Sequence, residues 1–110
     1  FTAGLDGRIC IDDGRTSTAP KANYGTGGAL NGKRYMLSFT LNAPEEAFDN
    51  PDEFLMQGKS IDDLFLHLHT NYRFLAMEAL PTFVCYDVMK NPNIERDFSR
   101  LRQHLDHTFQ

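Results

Sequence analysis

Two runs of nearly unbroken apolar and β-branched residues stand out in the C-terminal two-thirds of the chain. They are residues 35–41 and residues 82–88, and Pro81 precedes the second run. Continuous apolar runs of this length are typical of strands that are buried on both faces of a sheet. The pattern therefore predicts two buried strands.

Between and after these runs, apolar residues recur at spacings of three and four, which predicts two amphipathic helices. Ser60 can cap the first helix, with Asp63 placed to complete a near capping box. The apolar stripe of this helix consists of Ile61, Leu64, Leu68, Tyr72 and Leu75. The stripe of the second helix consists of Ile94, Phe98, Leu101, Leu105 and Phe109. Shorter helix starts are predicted at residues 44–46 and 50–53, where a proline precedes acidic residues.

The order strand, helix, strand, helix predicts parallel strands joined by a right-handed crossover, and hence an α/β fold. Residues 1–32 are rich in Gly, Asp, Thr, Ser and Asn, so we expect a long loop there, with a small hairpin around residues 12–14. The 110 residues suffice for one domain, with this loop at 1–32 and a βαβα core at 33–110. Two strands do not form a stable doubly wound sheet alone. We therefore expect the chain to pack against further protein, either a missing N-terminal half or a partner chain.

Composition excludes several classes of protein. The net charge of −4, without a basic block, argues against binding to nucleic acid or to an anionic membrane surface. No apolar run approaches the roughly 20 residues of a membrane span, and the first residues lack the pattern of a signal peptide. We therefore expect a cytoplasmic protein. Cys10 and Cys85 lie far apart and form no CxxC motif, so we expect two ordinary thiols.

Two features resemble known sites without meeting their requirements. Residues 27–33 fit the GxxxxGK pattern of phosphate-binding loops, but that pattern requires Ser or Thr and a helix after the lysine. Here Arg34 and a predicted strand follow, so we interpret the segment as a flexible glycine loop that enters a strand. The histidines offer no third ligand at a suitable spacing, so no metal site is predicted. Solvated helix faces are expected for His67, His69, His104 and His107.

The segment that leaves the first predicted strand, residues 40–48, is a candidate ligand-binding loop. Ligands of open α/β sheets bind outside the carboxyl ends of the strands. We expect the main-chain N–H groups of Leu41, Asn42 and Ala43 to face that crevice. Such a row of amides can hold a flat heteroaromatic ring that carries carbonyl and nitrogen acceptors. A simple strand-to-helix turn is the alternative interpretation.

Five segments carry a resemblance to a known family. Their sequences are DDGR at residues 12–15, YGTGG at 24–28, GKRYMLS at 32–38, TLNAPEEAF at 40–48 and FLAMEALPTF at 74–83. In this order, and over almost the whole chain, they resemble the modulator of drug activity B family, whose members are flavodoxin-fold, FAD-containing NAD(P)H:quinone oxidoreductases. The resemblance is to the C-terminal half of the family. It implies the C-terminal part of a flavodoxin-like doubly wound parallel sheet.

The resemblance also implies a function. A homodimer would bind FAD, reduce it with NAD(P)H and pass the electrons to a quinone. Thr40, Leu41, Asn42 and Ala43 would line the flavin ring. Tyr24 would shape the quinone pocket and is the candidate catalytic residue. The family's N-terminal phosphate-binding loop and its aromatic-rich loop beside the flavin have no counterpart in these residues.

Two other functions remain as alternatives. One is a non-enzymatic interaction module, a half-flavodoxin that assembles through its exposed strands without flavin. The other is a flavodoxin-like electron carrier. It fits poorly, because such carriers hold FMN largely through a loop that these residues do not contain. Flavin bound to the purified protein would separate the reductase from the interaction module.

Overall fold

A computed structural model describes residues 8–109. In chain order, its elements are β1 (Arg34–Tyr35), β2 (Ser38–Thr40), a 3-10 turn (Glu45–Ala47), α1 (Ile61–Leu64), α2 (Leu66–Phe74), β3 (Glu78–Ala79), β4 (Phe83–Cys85) and α3 (Ile94–Thr108). Strand β1 pairs with β3, and β2 pairs with β4, both in parallel. The predicted α/β class with parallel strands is therefore confirmed.

Backbone contacts divide the described chain into two compact units. The first unit comprises residues 8–35 and Phe65–Ala79, and it contains β1, β3 and α2. The second comprises Met36–Leu64 and residues 80–109, and it contains β2, β4, the 3-10 turn, α1 and α3. A single domain over residues 1–110 remains a prediction.

Each strand is shorter than the apolar run that predicts it. Residues 35–41 contain the end of β1 and all of β2, while residues 82–88 contain only β4. Pro81 has no N–H to donate to a ladder, and it separates β3 from β4. The sequence pattern does not predict β3, because Glu78 and Ala79 continue no apolar run.

Burial on both faces is confirmed for β4 and is wrong for β2. Phe83 and Val84 of β4 are buried. In β2 only Phe39 is half-buried, and its neighbours Ser38 and Thr40 are exposed. The apolar run is misleading here because two hydroxyl residues occupy the same face of the strand and leave only the other face apolar.

The first predicted helix is present but interrupted. Its capping box is confirmed, since the Asp63 N–H donates to Ser60 Oγ and the Ser60 N–H donates to Asp63 Oδ2, each at 3.0 Å. Phe65 divides the helix into α1 and α2, because its φ of −102° and ψ of 26° depart from helical values. The apolar spacing continues across Phe65, so periodicity alone does not reveal the break. Of the shorter helix starts, residues 44–46 lead into the 3-10 turn, whereas residues 50–53 form only turns.

The glycine loop packs against the C-terminal end of α2 within the first unit. The Leu30 N–H donates to the Leu75 carbonyl at 3.0 Å. Strand β1 follows the loop, so its interpretation as a glycine loop that enters a strand is confirmed. A Cβ atom at Gly28 would overlap the backbone of Leu75 and Ala76. This glycine therefore permits close packing of two backbone segments.

We expect Gly28→Ala to lower the free energy of unfolding by about 1–3 kcal/mol, the usual range for overpacking. The added methyl group forces the backbone of residues 75–76 to move. Gly32→Asn is the matched control, because its Cβ meets no atom within 4 Å and asparagine tolerates the positive φ of this position. Denaturant unfolding measures both variants. Equal unfolding free energies would show that the loop does not pack in this way.

His69 overturns the expectation that the histidines lie on solvated helix faces. It is buried, and its Nδ1 atom lies 2.6 Å from the Tyr35 hydroxyl oxygen. The ring of Tyr72 stacks on that of Tyr35, with centroids 4.5 Å apart. A histidine tolerates burial when its polar atoms find partners, and the tyrosine hydroxyl provides one.

His104 also departs from a fully solvated position. It is half-buried on α3, and its Nε2 atom lies 2.8 Å from the Pro81 carbonyl oxygen. The expectation of solvent exposure is confirmed for His67 and His107.

Helix α3 confirms the last predicted helix and begins at an Asn93 cap, whose side chain accepts from the Arg96 N–H at 3.0 Å. The helix packs on β4 through polar residues. The ring of His104 meets that of Phe83 edge-on, with centroids 5.3 Å apart, and the Arg100 guanidinium lies 5.7 Å from the Phe83 centroid. Of the predicted apolar stripe, Leu101 is half-buried. The exposed members of the stripe are Ile94, Phe98, Leu105 and Phe109.

Candidate functional site

The loop after β2 is held by the backbone that follows β4. The Leu41 N–H donates to the Cys85 carbonyl at 2.8 Å, and the Leu41 carbonyl accepts from the Val88 N–H at 3.1 Å. The Ala43 carbonyl accepts from the Asp87 N–H at 3.0 Å. Because β2 and β4 are parallel, both segments leave the carboxyl edge of the same sheet. Ligands of open α/β sheets bind at such an edge.

The loop offers two free main-chain donors, not three. The expectation that the Leu41 amide faces a ligand is wrong, because Cys85 accepts its hydrogen bond. Within residues 8–109, no acceptor is found for the N–H groups of Asn42 and Ala43. Asn42 is exposed and Ala43 is half-buried, so both amides are close to solvent. Their neighbour Thr40 is exposed at the end of β2.

Tyr24 lies in the first unit, where it lines an open cavity of about 360 Å³ together with Thr70, Asn71 and Phe74. Its side chain is 70 % exposed and meets the Phe74 ring edge-on, with centroids 6.0 Å apart. This volume falls within the range of small-molecule sites. Two aromatic rings beside an open cavity suit a flat apolar ligand.

Arg15 also contacts Tyr24, and Asp13 orients it. The Arg15 guanidinium carbon lies 5.4 Å from the Tyr24 ring centroid. Its Nε and Nη2 atoms donate to Asp13 Oδ2 at 2.9 and 2.6 Å. These bonds from Arg15 lower the pKa of Asp13, and the Asp13 carboxylate raises the pKa of Arg15. Because solvent reaches both groups, the pair orients the guanidinium more than it stabilises the fold.

A second, smaller cavity of about 150 Å³ lies in the second unit. The 3-10 turn that follows the loop contributes Glu45 and Glu46, and α3 contributes Arg96 and Arg100. Tyr86, directly after β4, completes a lining that carries charges of both signs. The sequence analysis does not identify this cavity. The spacing of Arg96 and Arg100, one helical turn apart, places them on one helix face, but it does not link them to Glu45, Glu46 or Tyr86.

Tyr86 keeps its proton at neutral pH. Burial, and next the charge of Glu45, raises the pKa of Tyr86 above its ordinary value. Its ring lies against Phe48, with centroids 6.0 Å apart. The protonated hydroxyl can therefore donate a hydrogen bond to a ligand that binds in the cavity.

With the site geometry described, the chain can be compared with known proteins. Residues 11–108 match the sequence profile of a family described by its flavodoxin-like fold. The chain belongs to this flavodoxin-like fold family. Over 103 residues, this family member is 45 % identical to NADPH:quinone oxidoreductase MdaB of Haemophilus influenzae, a match that covers 94 % of this chain and 53 % of that protein. The resemblance to the modulator of drug activity B family is thereby confirmed.

A second relative comes from a eukaryote. Over 109 residues the chain is 42 % identical to an uncharacterized protein of Schizosaccharomyces pombe, a match that covers 99 % of this chain and 55 % of that protein. The flavodoxin-like chain therefore spans about half the length of both relatives.

The two thiols of this flavodoxin-like chain lie in different units and are both free. Cys10 is fully buried, and its Sγ atom lies 3.0 Å from the Asp12 carbonyl oxygen. Burial, and next the charge of Asp97, raises the pKa of Cys85. Since the thiolate is the reactive form, a raised pKa makes Cys85 less reactive at neutral pH.

Within residues 8–109, no group of three or more His, Cys, Asp or Glu side chains is arranged to hold a metal ion. Over the same part of the chain, no helix combines the length and hydropathy that crossing a membrane requires.

Proposed function

We propose that the chain forms the C-terminal part of an FAD-dependent NAD(P)H:quinone oxidoreductase that works in the cytoplasm. The observation that carries this proposal is its 45 % identity, over 94 % of the chain, to a protein named NADPH:quinone oxidoreductase. The free amides of Asn42 and Ala43 support it, because the flavin ring carries carbonyl and nitrogen acceptors. When bound, FAD supplies the redox chemistry, accepting a hydride from NAD(P)H and passing two electrons to the quinone.

In this proposal, the loop of Thr40, Leu41, Asn42 and Ala43 places the flavin ring. The N–H groups of Asn42 and Ala43 donate to the ring. Because they are fixed main-chain dipoles, they stabilise negative charge at their acceptors without reorganisation. The bonds of Leu41 to residues 85 and 88 hold the loop in shape.

We propose that Tyr24 and Phe74 line the quinone pocket. A quinone is a flat ring, and the exposed ring of Tyr24 and the half-buried ring of Phe74 offer it offset or edge-on contacts. Thr70 and Asn71 supply the few polar groups that orient a ligand in a mostly apolar site. Arg15 limits the movement of the Tyr24 ring by lying against it. Tyr24 thus remains the candidate catalytic residue.

We further propose that more protein covers the exposed apolar stripe of α3, through a homodimer or through an N-terminal half of the same fold. Ile94 and Phe98 are 67 % and 62 % exposed, which is unusual for the apolar stripe of a packed amphipathic helix. An interaction module that assembles without flavin would use the same surface.

The full-length protein, purified without added flavin, tests the proposed function. We expect a yellow protein that releases FAD on denaturation and oxidises NADPH only when a quinone is present. Bound FAD without NADPH oxidation would contradict the proposed reaction. A folded, colourless protein that takes up no FAD would favour the interaction module. Sedimentation of the same sample measures whether it is a homodimer.

A further inference from the structure

Asparagine precedes glycine at one place in the sequence, Asn31 and Gly32. The two residues form the middle of a four-residue turn that leads into β1, and both are exposed. The Lys33 N–H donates to the Leu30 carbonyl at 3.1 Å, and Gly32 has a φ of 83°. Asn31 does not share this positive φ, so the turn has the pattern of type II, whose third residue is usually glycine.

The two groups that can react with each other in this turn have no other partner. Within residues 8–109, the Asn31 side chain makes no hydrogen bond, and no acceptor is found for the Gly32 N–H. A Cβ atom at Gly32 would meet no atom within 4 Å, so the turn has open space around it. The side-chain amide of Asn31 and the main-chain nitrogen of Gly32 are therefore free to approach each other.

The other described asparagines lack one of these features. Two precede a proline, which has no N–H, and two lie inside or cap a helix; these four are Asn50, Asn91, Asn71 and Asn93. The bulky Tyr24 follows Asn23. Asn42 is exposed and the Ala43 amide has no described acceptor, but Ala43 carries a Cβ and is half-buried. Asn31 is thus the asparagine at which attack by the next nitrogen is least hindered.

We propose that Asn31 is a site of spontaneous deamidation, one form of the thermal lability of asparagine, and that its isoaspartyl product loosens the turn before β1. The Gly32 nitrogen, after losing its proton to hydroxide, attacks Asn31 Cγ. The new bond joins this nitrogen to Cγ, the bond from Cγ to Nδ2 breaks, and ammonia leaves with a proton from water. Water then opens the cyclic imide. Cleavage of the bond between Cγ and nitrogen gives aspartate, and cleavage at the main-chain carbonyl gives isoaspartate.

The isoaspartyl product has a longer main chain, because the chain then runs through Cγ. Both sides of the turn are anchored. The Leu30 N–H donates to the Leu75 carbonyl at 3.0 Å, and the Lys33 carbonyl accepts from the Glu78 N–H at 3.0 Å. An added carbon atom does not fit between these anchors without a change in the turn. We therefore expect the bond between Lys33 and Leu30 to be lost and the pairing of β1 with β3 to weaken. The reaction needs neither flavin nor quinone, so the inference is independent of the proposed function.

Peptide mapping of the full-length protein, incubated for several weeks near neutral pH, tests the reaction. Trypsin releases residues 22–33 as one peptide that contains Asn23 and Asn31, and fragmentation assigns the mass increase to one of them. We expect conversion at Asn31, and a rate about tenfold or more lower in Gly32→Ala, where the added Cβ hinders ring closure. Asn23 is the internal control. Conversion at Asn31 no faster than at Asn23, or equal rates in the wild type and Gly32→Ala, would overturn the inference.

Gly32→Ala is strained by the positive φ of this position, so its unfolding transition is measured first. If the variant does not fold, the comparison of Asn31 with Asn23 in the wild type decides the outcome.

The structural consequence has its own test. Deamidation adds a negative charge, so ion exchange separates the modified protein. We expect the isoaspartyl fraction to unfold at a lower denaturant concentration than the unmodified protein. Asn31→Ser removes the reacting amide, and its midpoint should not change on incubation. Equal midpoints for the isoaspartyl and unmodified fractions would overturn the loosening of the turn.

Discussion

Phe83→Ala is expected to lower the free energy of unfolding by about 3–5 kcal/mol, the usual cost of truncating a buried phenylalanine. Phe83 is 5 % exposed and lies where β4 meets α3. The truncation leaves a cavity, and it also removes the ring that His104 and Arg100 contact. Denaturant unfolding of the wild type and the variant measures the loss.

Phe54→Ala is the matched control, because Phe54 belongs to the same unit and is 90 % exposed. We expect its effect to stay within about 0.5 kcal/mol, as at other surface positions. Phe83→Leu keeps most of the side-chain volume and loses the aromatic contacts, so it should cost less than about 1.5 kcal/mol. Similar values for Phe83→Ala and Phe54→Ala would show that α3 is not docked on β4 through this ring.

Helix α3 illustrates which properties of a helix the apolar repeat predicts and which it does not. Its existence follows from the apolar spacing between Ile94 and Phe109, and the structure confirms a helix over Ile94–Thr108. The spacing states which residues share a face, but it does not state what covers that face. In the structure, Arg100 and His104 contact Phe83 of β4, whereas most of the apolar stripe is exposed. The packed face of the helix could be identified only from its contacts.

The position of His69 in the sequence favoured burial, but its residue type argued against it. It lies four residues after Phe65 and three before Tyr72, the spacing of one helix face, and both of those positions are aromatic. Histidine is usually found at intermediate or exposed positions. The partner that allows its burial, Tyr35, lies 34 residues earlier, and only the fold brings the two together.

The sequence also predicted only part of the candidate site. The position of the loop directly after a strand was enough to predict that residues 40–43 lie at the carboxyl edge of a parallel pair. Which amides remain free depends on the backbone of residues 85–88, which no local pattern specifies. The charged cavity was not predictable either. Glu45, Tyr86 and Arg96 come from three separate elements, and no spacing along the chain links them.

Ala43→Pro should strongly weaken FAD binding and quinone turnover in the full-length protein. The substitution deletes one of the two free amide donors and restricts the backbone of the residue before it. Loss of one hydrogen bond to a charged group costs about 1.5–3 kcal/mol, or about 10- to 150-fold in the affected constant. Flavin dissociation and steady-state rates, measured on the same preparations, give this constant.

Two further variants locate the effect in the main chain. Ala43→Gly keeps the N–H group and the Ala43 carbonyl that Asp87 uses, so we expect FAD affinity close to that of the wild type. Asn42→Ala also keeps its amide and should act only by loosening the loop, with a smaller effect than Ala43→Pro. The proline variant must fold for the comparison to hold, and its unfolding transition measures this. A folded Ala43→Pro protein with unchanged FAD affinity and unchanged turnover would show that residues 40–43 form only a turn, because the donor assigned to the flavin would then be dispensable.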